Sequence, residues 1–207
     1  MMLSPFLRKV SLTAHITFSV GWFGAVAAFL VIAIAGLISQ EPLLVRSAYI
    51  AMEVIGWFII VPACLGALIT GLIQSLGTNW GLFKHYWVFV KLILTIASTI
   101  VLFLHMQPIS YLADVAYKAE ITSFELRGLR IQLLADAGAA LLVLLIITTI
   151  SVFKPWGRTS FGSESQKKTA VESYSKKPWK LYVMLGLIGF VILLFIIMHL
   201  NGGMRHH

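Results

Sequence analysis

Residues 12–38 read LTAHITFSVGWFGAVAAFLVIAIAGLI, and His15 is the only ionisable side chain among them. About 20 apolar residues in a helix are enough to cross the roughly 30 Å hydrocarbon core of a bilayer. The apolar part of a secretory signal peptide is shorter, at about 7–15 residues. We therefore interpret this stretch as a retained membrane-spanning helix.

The rest of the chain repeats this pattern. The sequence is 59% hydrophobic and 12% charged, whereas an average soluble domain is roughly 45–50% apolar and about 25% charged. Because backbone groups in lipid must form their hydrogen bonds within the protein, such apolar runs are expected to be helices. The sequence predicts an all-α transmembrane bundle with five spans, at about 12–38, 48–73, 85–106, 131–153 and 179–200.

The connections divide the chain into a core and a tethered helix. Residues 1–153 are expected to form a four-helix core, whose segment 107–130 has apolar residues at helical spacing, typical of an amphipathic helix on the outer interface. Residues 154–178 begin with Lys-Pro-Trp-Gly and continue rich in Ser, Lys and Glu, which predicts a basic, flexible cytoplasmic linker. Residues 179–207 would hold the fifth helix and a short tail.

The charges indicate an orientation rather than a nucleic-acid partner. The net charge is +8, but the basic residues lie beside the spans and form no stripe interleaved with stacking aromatics, so we expect no nucleic-acid binding. Lys and Arg are more numerous on the side that holds Arg8, Lys9 and the linker. The positive-inside rule therefore places the N-terminus in the cytoplasm. The single cysteine, Cys64, excludes an intramolecular disulfide.

Ionisable side chains inside the spans are the candidates for function, because they are costly in lipid. His15 and His85 are expected near the cytoplasmic face. The ionisable residues expected together near the outer face, on four different helices, are Glu53, His105, Asp136 and His199. Small residues flank both acids, which predicts that protein encloses them.

The two histidines of the third predicted helix lie on different sides of that helix. At about 100° per residue, Lys91 and His105 share one stripe, which should face the bundle interior. His85 lies on roughly the opposite side, beside Tyr86 and Trp87, as in an interfacial aromatic belt. His105 is therefore the stronger ligand candidate of the two.

Histidines at matched depth suggest a b-type haem. Two neutral imidazoles from facing helices can occupy both axial positions of the iron. The first candidate pair is His105 with His199, and the second is His15 with His85. Lys91 or Arg130 would meet the propionates. Bis-histidine ligation favours electron transfer, with a quinone or a redox protein as partner.

Two other functions remain open from the residues alone. A copper-handling or transport protein would use the same histidines, together with Glu53 or Asp136. A non-catalytic scaffold would use the small-residue faces for a homodimer. No catalytic triad, phosphate loop or HExxH pattern occurs, so hydrolases and nucleotide enzymes have no support. The terminal His206 and His207 belong either to the native chain or to a tag.

Three stretches carry a family resemblance. Residues 15–25 (HITFSVGWFGA), 77–88 (GTNWGLFKHYWV) and 151–157 (SVFKPWG) resemble an uncharacterised family of small bacterial multi-pass membrane proteins. The helix-borne His15, followed by Trp-x-Gly at residues 22–24, is similar to copper-resistance D-type proteins and to cytochrome b haem-binding bundles. The resemblance implies a bacterial plasma-membrane protein and does not assign an activity.

Overall fold

The computed structural model describes residues 3–77, 82, 85–118 and 125–155 of the chain. Within these ranges the protein is helical, and four helices are long and apolar enough to cross a membrane: Pro5–Ile38, Pro42–Gly77, Tyr86–Tyr117 and Leu126–Phe153. The all-α, multi-pass expectation is confirmed for these four spans. The predicted linker after residue 155 and the predicted fifth helix at 179–200 lie outside the described residues.

The first helix, α1 (Pro5–Ile38), has clear boundaries. The Ser4 hydroxyl accepts a hydrogen bond from the Leu7 amide at 3.3 Å, and Pro5 occupies the first helical position. Proline is suited to that position because the amide there has no partner within the helix. With 34 residues, α1 is about 50 Å long, so it extends beyond the hydrocarbon core at its ends.

The second span consists of α2 (Pro42–Ile55), a π-helical turn (Gly56–Ile60) and α3 (Val61–Gly77). Pro62 has no amide hydrogen, and in a regular α-helix its ring would collide with the carbonyl four residues earlier. In the wider turn, the Val61 amide donates to the Gly56 carbonyl, five residues back. The π-helical turn thus lets one continuous span accommodate the proline.

The third span, α4 (Tyr86–Tyr117), is longer than the sequence predicted. We expected a separate interfacial helix within residues 107–130, but α4 continues through Pro108 to Tyr117. The apolar residues Leu112 and Ala116 are fully buried in a cluster shared with α2. Their helical spacing therefore reflects packing against protein rather than against the membrane surface.

The side chain of Arg46 on α2 stabilises the extended end of α4. Its Nε donates to the Ala116 carbonyl at 2.9 Å, and its Nη2 donates to the Tyr117 carbonyl at 3.1 Å. The last carbonyls of a helix have no partner within that helix, and they interact favourably with a cation. Arg46 therefore stabilises the end of α4, which lies well beyond the predicted boundary.

The last described helix is α5 (Glu125–Phe153). It begins six residues before the predicted span start and ends where Lys154 and Pro155 predict a stop. α1 packs against α2, α3 and α5, and α4 packs against the same three helices. We call the end where α1 and α4 begin the near end, and the opposite end the far end.

Candidate ligand cavity

A cavity of about 820 Å³ opens between α1, α3, α4 and α5 in the half of the bundle next to the near end. Its walls are mostly Leu, Ile, Val, Phe and Trp. All four helices also contribute polar side chains, among them His15, Gln74, Lys91, Thr95, Thr148 and Lys154. Pockets for cofactors and small ligands typically have volumes of about 300–1,000 Å³, apolar walls and a few polar groups.

The ring of His15 is held in one orientation on the wall of this cavity. Its Nδ1 lies 3.1 Å from the Ala67 carbonyl oxygen and 3.1 Å from the Thr70 hydroxyl oxygen. Because a carbonyl oxygen only accepts, Nδ1 carries the proton, and Nε2 of the neutral ring carries the lone pair. A histidine that ligates a metal is commonly oriented by such a bond from its other nitrogen.

Gly71 leaves room for the His15 ring. A Cβ at Gly71 would lie 3.2 Å from His15 Cε1, closer than ordinary van der Waals contact. A glycine on α3 therefore lets the imidazole lie against the α3 backbone, within reach of the Ala67 carbonyl.

Two lysines converge on Trp87 in the part of the cavity closest to the near end. The Lys91 ammonium lies 5.3 Å from the centroid of the indole ring, and the Lys154 ammonium lies 5.8 Å from it. Both distances are within the range of a cation–π interaction. Sequence reasoning treated Lys154 only as an orientation charge. The signal that identifies its position is the Lys154-Pro155 pair, which ends α5 and so leaves Lys154 at the near end, where α4 begins.

His105 and Asp136 form a contact between α4 and α5, outside the cavity lining. His105 Nε2 lies 2.7 Å from Asp136 Oδ2, and the two side chains are 8% and 11% exposed. His105 Nδ1 lies 2.7 Å from the Val101 carbonyl oxygen and donates to it. The small exposed fraction of Asp136 agrees with the expectation that protein encloses this acid. Both ring nitrogens of His105 have protein partners, so neither is available to an iron in this arrangement.

Arg130 lies at the far end, away from His15. Its Nε donates to the Tyr49 hydroxyl at 2.8 Å, and its Nη2 donates to the Gly36 carbonyl, in the last turn of α1. The guanidinium also lies 5.3 Å from the centroid of the Tyr49 ring. Arg130 therefore links three helices, α1, α2 and α5. It does not line the cavity that contains His15. A residue that contacts the propionates of a haem bound to His15 would have to line that cavity.

The remaining predicted site residues are dispersed. His85 directly precedes α4, with its ring 6.1 Å from that of Trp87, and it does not line the cavity. Glu53 is partly buried on α2. His199, His206 and His207 lie outside the described residues. The cavity therefore unites His15 with Lys91, which were predicted as candidates but not as partners.

A copper site receives no geometric support from the described part of the chain. Among those residues, no three His, Cys, Asp or Glu side chains are grouped as a metal ion would require. The buried Cys64 thiol lies 3.2 Å from the Thr99 hydroxyl oxygen, which agrees with a small packing residue.

Comparison with protein-family models, with curated proteins and with solved structures finds no match to this chain. The function is therefore argued from the residues of the cavity.

Proposed function

We propose that this chain is an integral membrane protein that binds a b-type haem in the near-end cavity, with His15 as an axial ligand. One observation carries the proposal: the His15 ring lines an 820 Å³ cavity, with Nδ1 bonded to the Ala67 carbonyl. That bond leaves Nε2 as the nitrogen with the lone pair, as a metal-ligating histidine requires.

The other cavity residues also fit this group. A haem is a flat apolar macrocycle that carries carboxylates at one edge. The mostly apolar walls of the cavity suit the ring, and the half-buried Lys91 ammonium suits a carboxylate. Of the two predicted propionate partners, we therefore retain Lys91 and not Arg130.

The haem would supply one-electron chemistry, and the chain would supply binding and orientation. His15 would hold the iron, and the Thr70 hydroxyl and Ala67 carbonyl would fix the plane of its ring. His85, the predicted partner of His15, does not line the cavity, and His199 is expected near the opposite face of the membrane, so neither is assigned as the second axial ligand. A second histidine would favour electron transfer, whereas an open position would allow a small molecule to bind.

The orientation follows from the charges around the cavity. Arg8, Lys9 and Lys154 lie at the near end, and the sequence predicts that the basic linker after Lys154 is cytoplasmic. The positive-inside rule therefore places the near end in the cytoplasm. The full proposal includes a fifth span at 179–200, a bacterial plasma membrane, and a quinone or a redox protein as electron partner. A homodimer through the small-residue faces belongs to the alternative of a non-catalytic scaffold.

The spectrum of the purified, haem-reconstituted protein tests this function. We expect a Soret band that shifts on reduction with dithionite. His15→Ala should abolish or displace it, whereas His105→Ala, which changes a histidine outside the cavity, should retain it. If the alanine variant does not fold, His15→Tyr provides a second test. A tyrosine phenolate at this position would bind the iron with a spectrum different from that of imidazole.

Two results would overturn the proposal. One is a colourless wild-type protein that carries stoichiometric copper, which would favour the copper-handling alternative. The other is an unchanged Soret band in both His15 variants, which would place the haem elsewhere. Circular dichroism of each variant checks that the helices are intact.

A further inference from the structure

The two lysines on Trp87 form a positive region at the edge of the cavity. Both ammonium groups lie within 6 Å of the centroid of one indole ring. Trp87 itself is 8% exposed, so the ring is fixed by packing. Lys91 is half-buried, and Lys154 lies at the exposed edge. We call Lys91, Trp87 and Lys154 the cavity rim.

The backbone at Lys154 has an unusual conformation. Its φ is +44°, in the left-handed region that glycine or asparagine usually occupies at the end of a helix. Its amide donates to the Ile150 carbonyl at 3.0 Å, which closes the last turn of α5. A lysine in place of glycine here adds a side chain, and that side chain reaches Trp87. An unfavourable backbone state of this kind is a reason to look for a function.

The charges at the rim favour an anion. Two like charges near one ring repel each other, and the repulsion is stronger where apolar walls lower the effective dielectric constant. An oxyanion between the two ammonium groups would relieve the repulsion and form charge-assisted hydrogen bonds to both.

We propose that Lys91 and Lys154 form an oxyanion site at the cavity rim, which binds the carboxylate or phosphate of an amphiphile whose apolar part lies in the cavity. In one form this inference rests on the proposed function, because the carboxylates of haem are one source of the oxyanion. The other source is the phosphate of an anionic lipid, which requires no haem.

The lipid form is tested on the full-length protein without haem. We would measure by native mass spectrometry the retention of phosphatidylglycerol against phosphatidylcholine, which share the phosphodiester but differ in net charge. The wild-type protein should prefer phosphatidylglycerol, and the variant with Lys91→Gln and Lys154→Gln should lose this preference. Lys9→Gln is the matched control, because Lys9 is an exposed lysine of α1 outside the cavity lining.

The carboxylate form is tested by comparing haem b with its dimethyl ester, which has the same ring but no carboxylates. We expect the wild-type protein to bind haem b about tenfold more tightly, as for one charge-assisted hydrogen bond lost on esterification. The double glutamine variant should bind the two equally well. Lys9→Gln, the matched control outside the cavity lining, should keep both the preference for haem b and the wild-type Soret position.

The two tests separate this inference from the proposed function. A preference in either test that disappears in the double variant, but not in Lys9→Gln, supports the oxyanion site. Equal binding in both tests by the wild-type protein overturns it, even if haem binds through His15. If no haem binds at all, the proposed function fails and the lipid test decides the inference alone.

Discussion

Replacing Asp136 by Asn tests whether the contact between α4 and α5 stabilises the bundle. The Asp136 carboxylate lies 2.7 Å from His105 Nε2, and neither side chain is more than 11% exposed. The Nδ1 of the same ring donates to the Val101 carbonyl, so contacts at both nitrogens fix the orientation of the imidazole. The substitution keeps the size of the side chain and removes its charge.

Three magnitudes bound the expected effect. Removing one partner of a buried ion pair costs about 3–5 kcal/mol in soluble proteins. Interhelical polar contacts in membranes contribute less, about 0.6 kcal/mol on average and up to about 1.7, because the unfolded chain in the membrane finds other partners. A hydrogen bond to a charged group contributes about 1.5–3 kcal/mol. We expect Asp136→Asn to lower the free energy of unfolding by about 2 kcal/mol, between the membrane and soluble values.

The assay is a double-mutant cycle with His105→Phe, which keeps an aromatic ring without its nitrogens. Unfolding would be followed by circular dichroism during titration of mixed micelles with sodium dodecyl sulfate. The double variant should be about as stable as either single variant, since the second substitution removes an interaction already lost. Asp114→Asn is the control, because Asp114 is an exposed acid on α4, the helix that carries His105. A coupling energy below about 0.5 kcal/mol, the limit of ordinary additivity, would refute a stabilising contact.

Further predictions concern helix packing and the far end. Gly66→Ala should lower the free energy of unfolding by about 1 kcal/mol, because overpacking costs about 1–3 kcal/mol and the better helix propensity of Ala returns up to about 1 kcal/mol. The added Cβ would lie 2.5 Å from the Phe18 ring, whereas Gly24→Ala meets no atom within 4 Å and should not destabilise. Equal unfolding midpoints for the two variants would contradict this packing. Arg130→Gln should cost about 2 kcal/mol through its lost charged hydrogen bonds, while the exposed Arg127→Gln should change the same unfolding titration by less than about 0.5 kcal/mol.

The four described spans could be predicted from the sequence because length and apolarity alone decide whether a helix can cross a bilayer. The end of α4 could not be predicted in the same way. Its Leu112 and Ala116 have the helical spacing of an amphipathic surface helix, and spacing does not distinguish lipid headgroups from a neighbouring helix as the apolar environment. Arg46, 70 residues earlier in the chain than Ala116, donates the hydrogen bond that stabilises this end of the helix.

The candidate site was also predictable from the sequence only in part. Depth along the helices predicted that His105 and Asp136 share one level of the membrane. Their contact also depends on how far α4 and α5 are rotated about their axes, which depth does not specify. In the same way, His15 and Lys91 were each identified by being ionisable within an apolar run. Their shared cavity arises from the packing of four helices, which no single stretch of sequence encodes.

The π-helical turn at Gly56–Ile60 has a consequence for how the protein can change. A π-helical turn accommodates one more residue than an α-helical turn, and each residue turns the helix by about 100°. Removing one residue from this turn would therefore rotate α3 by about that angle relative to α2. α2, which carries Tyr49, would keep its contacts at the far end. Ala67 and Thr70, on α3, would turn away from His15. The orientation of the His15 imidazole therefore depends on the rotation of α3 about its axis, which is determined by the π-helical turn in the middle of the span.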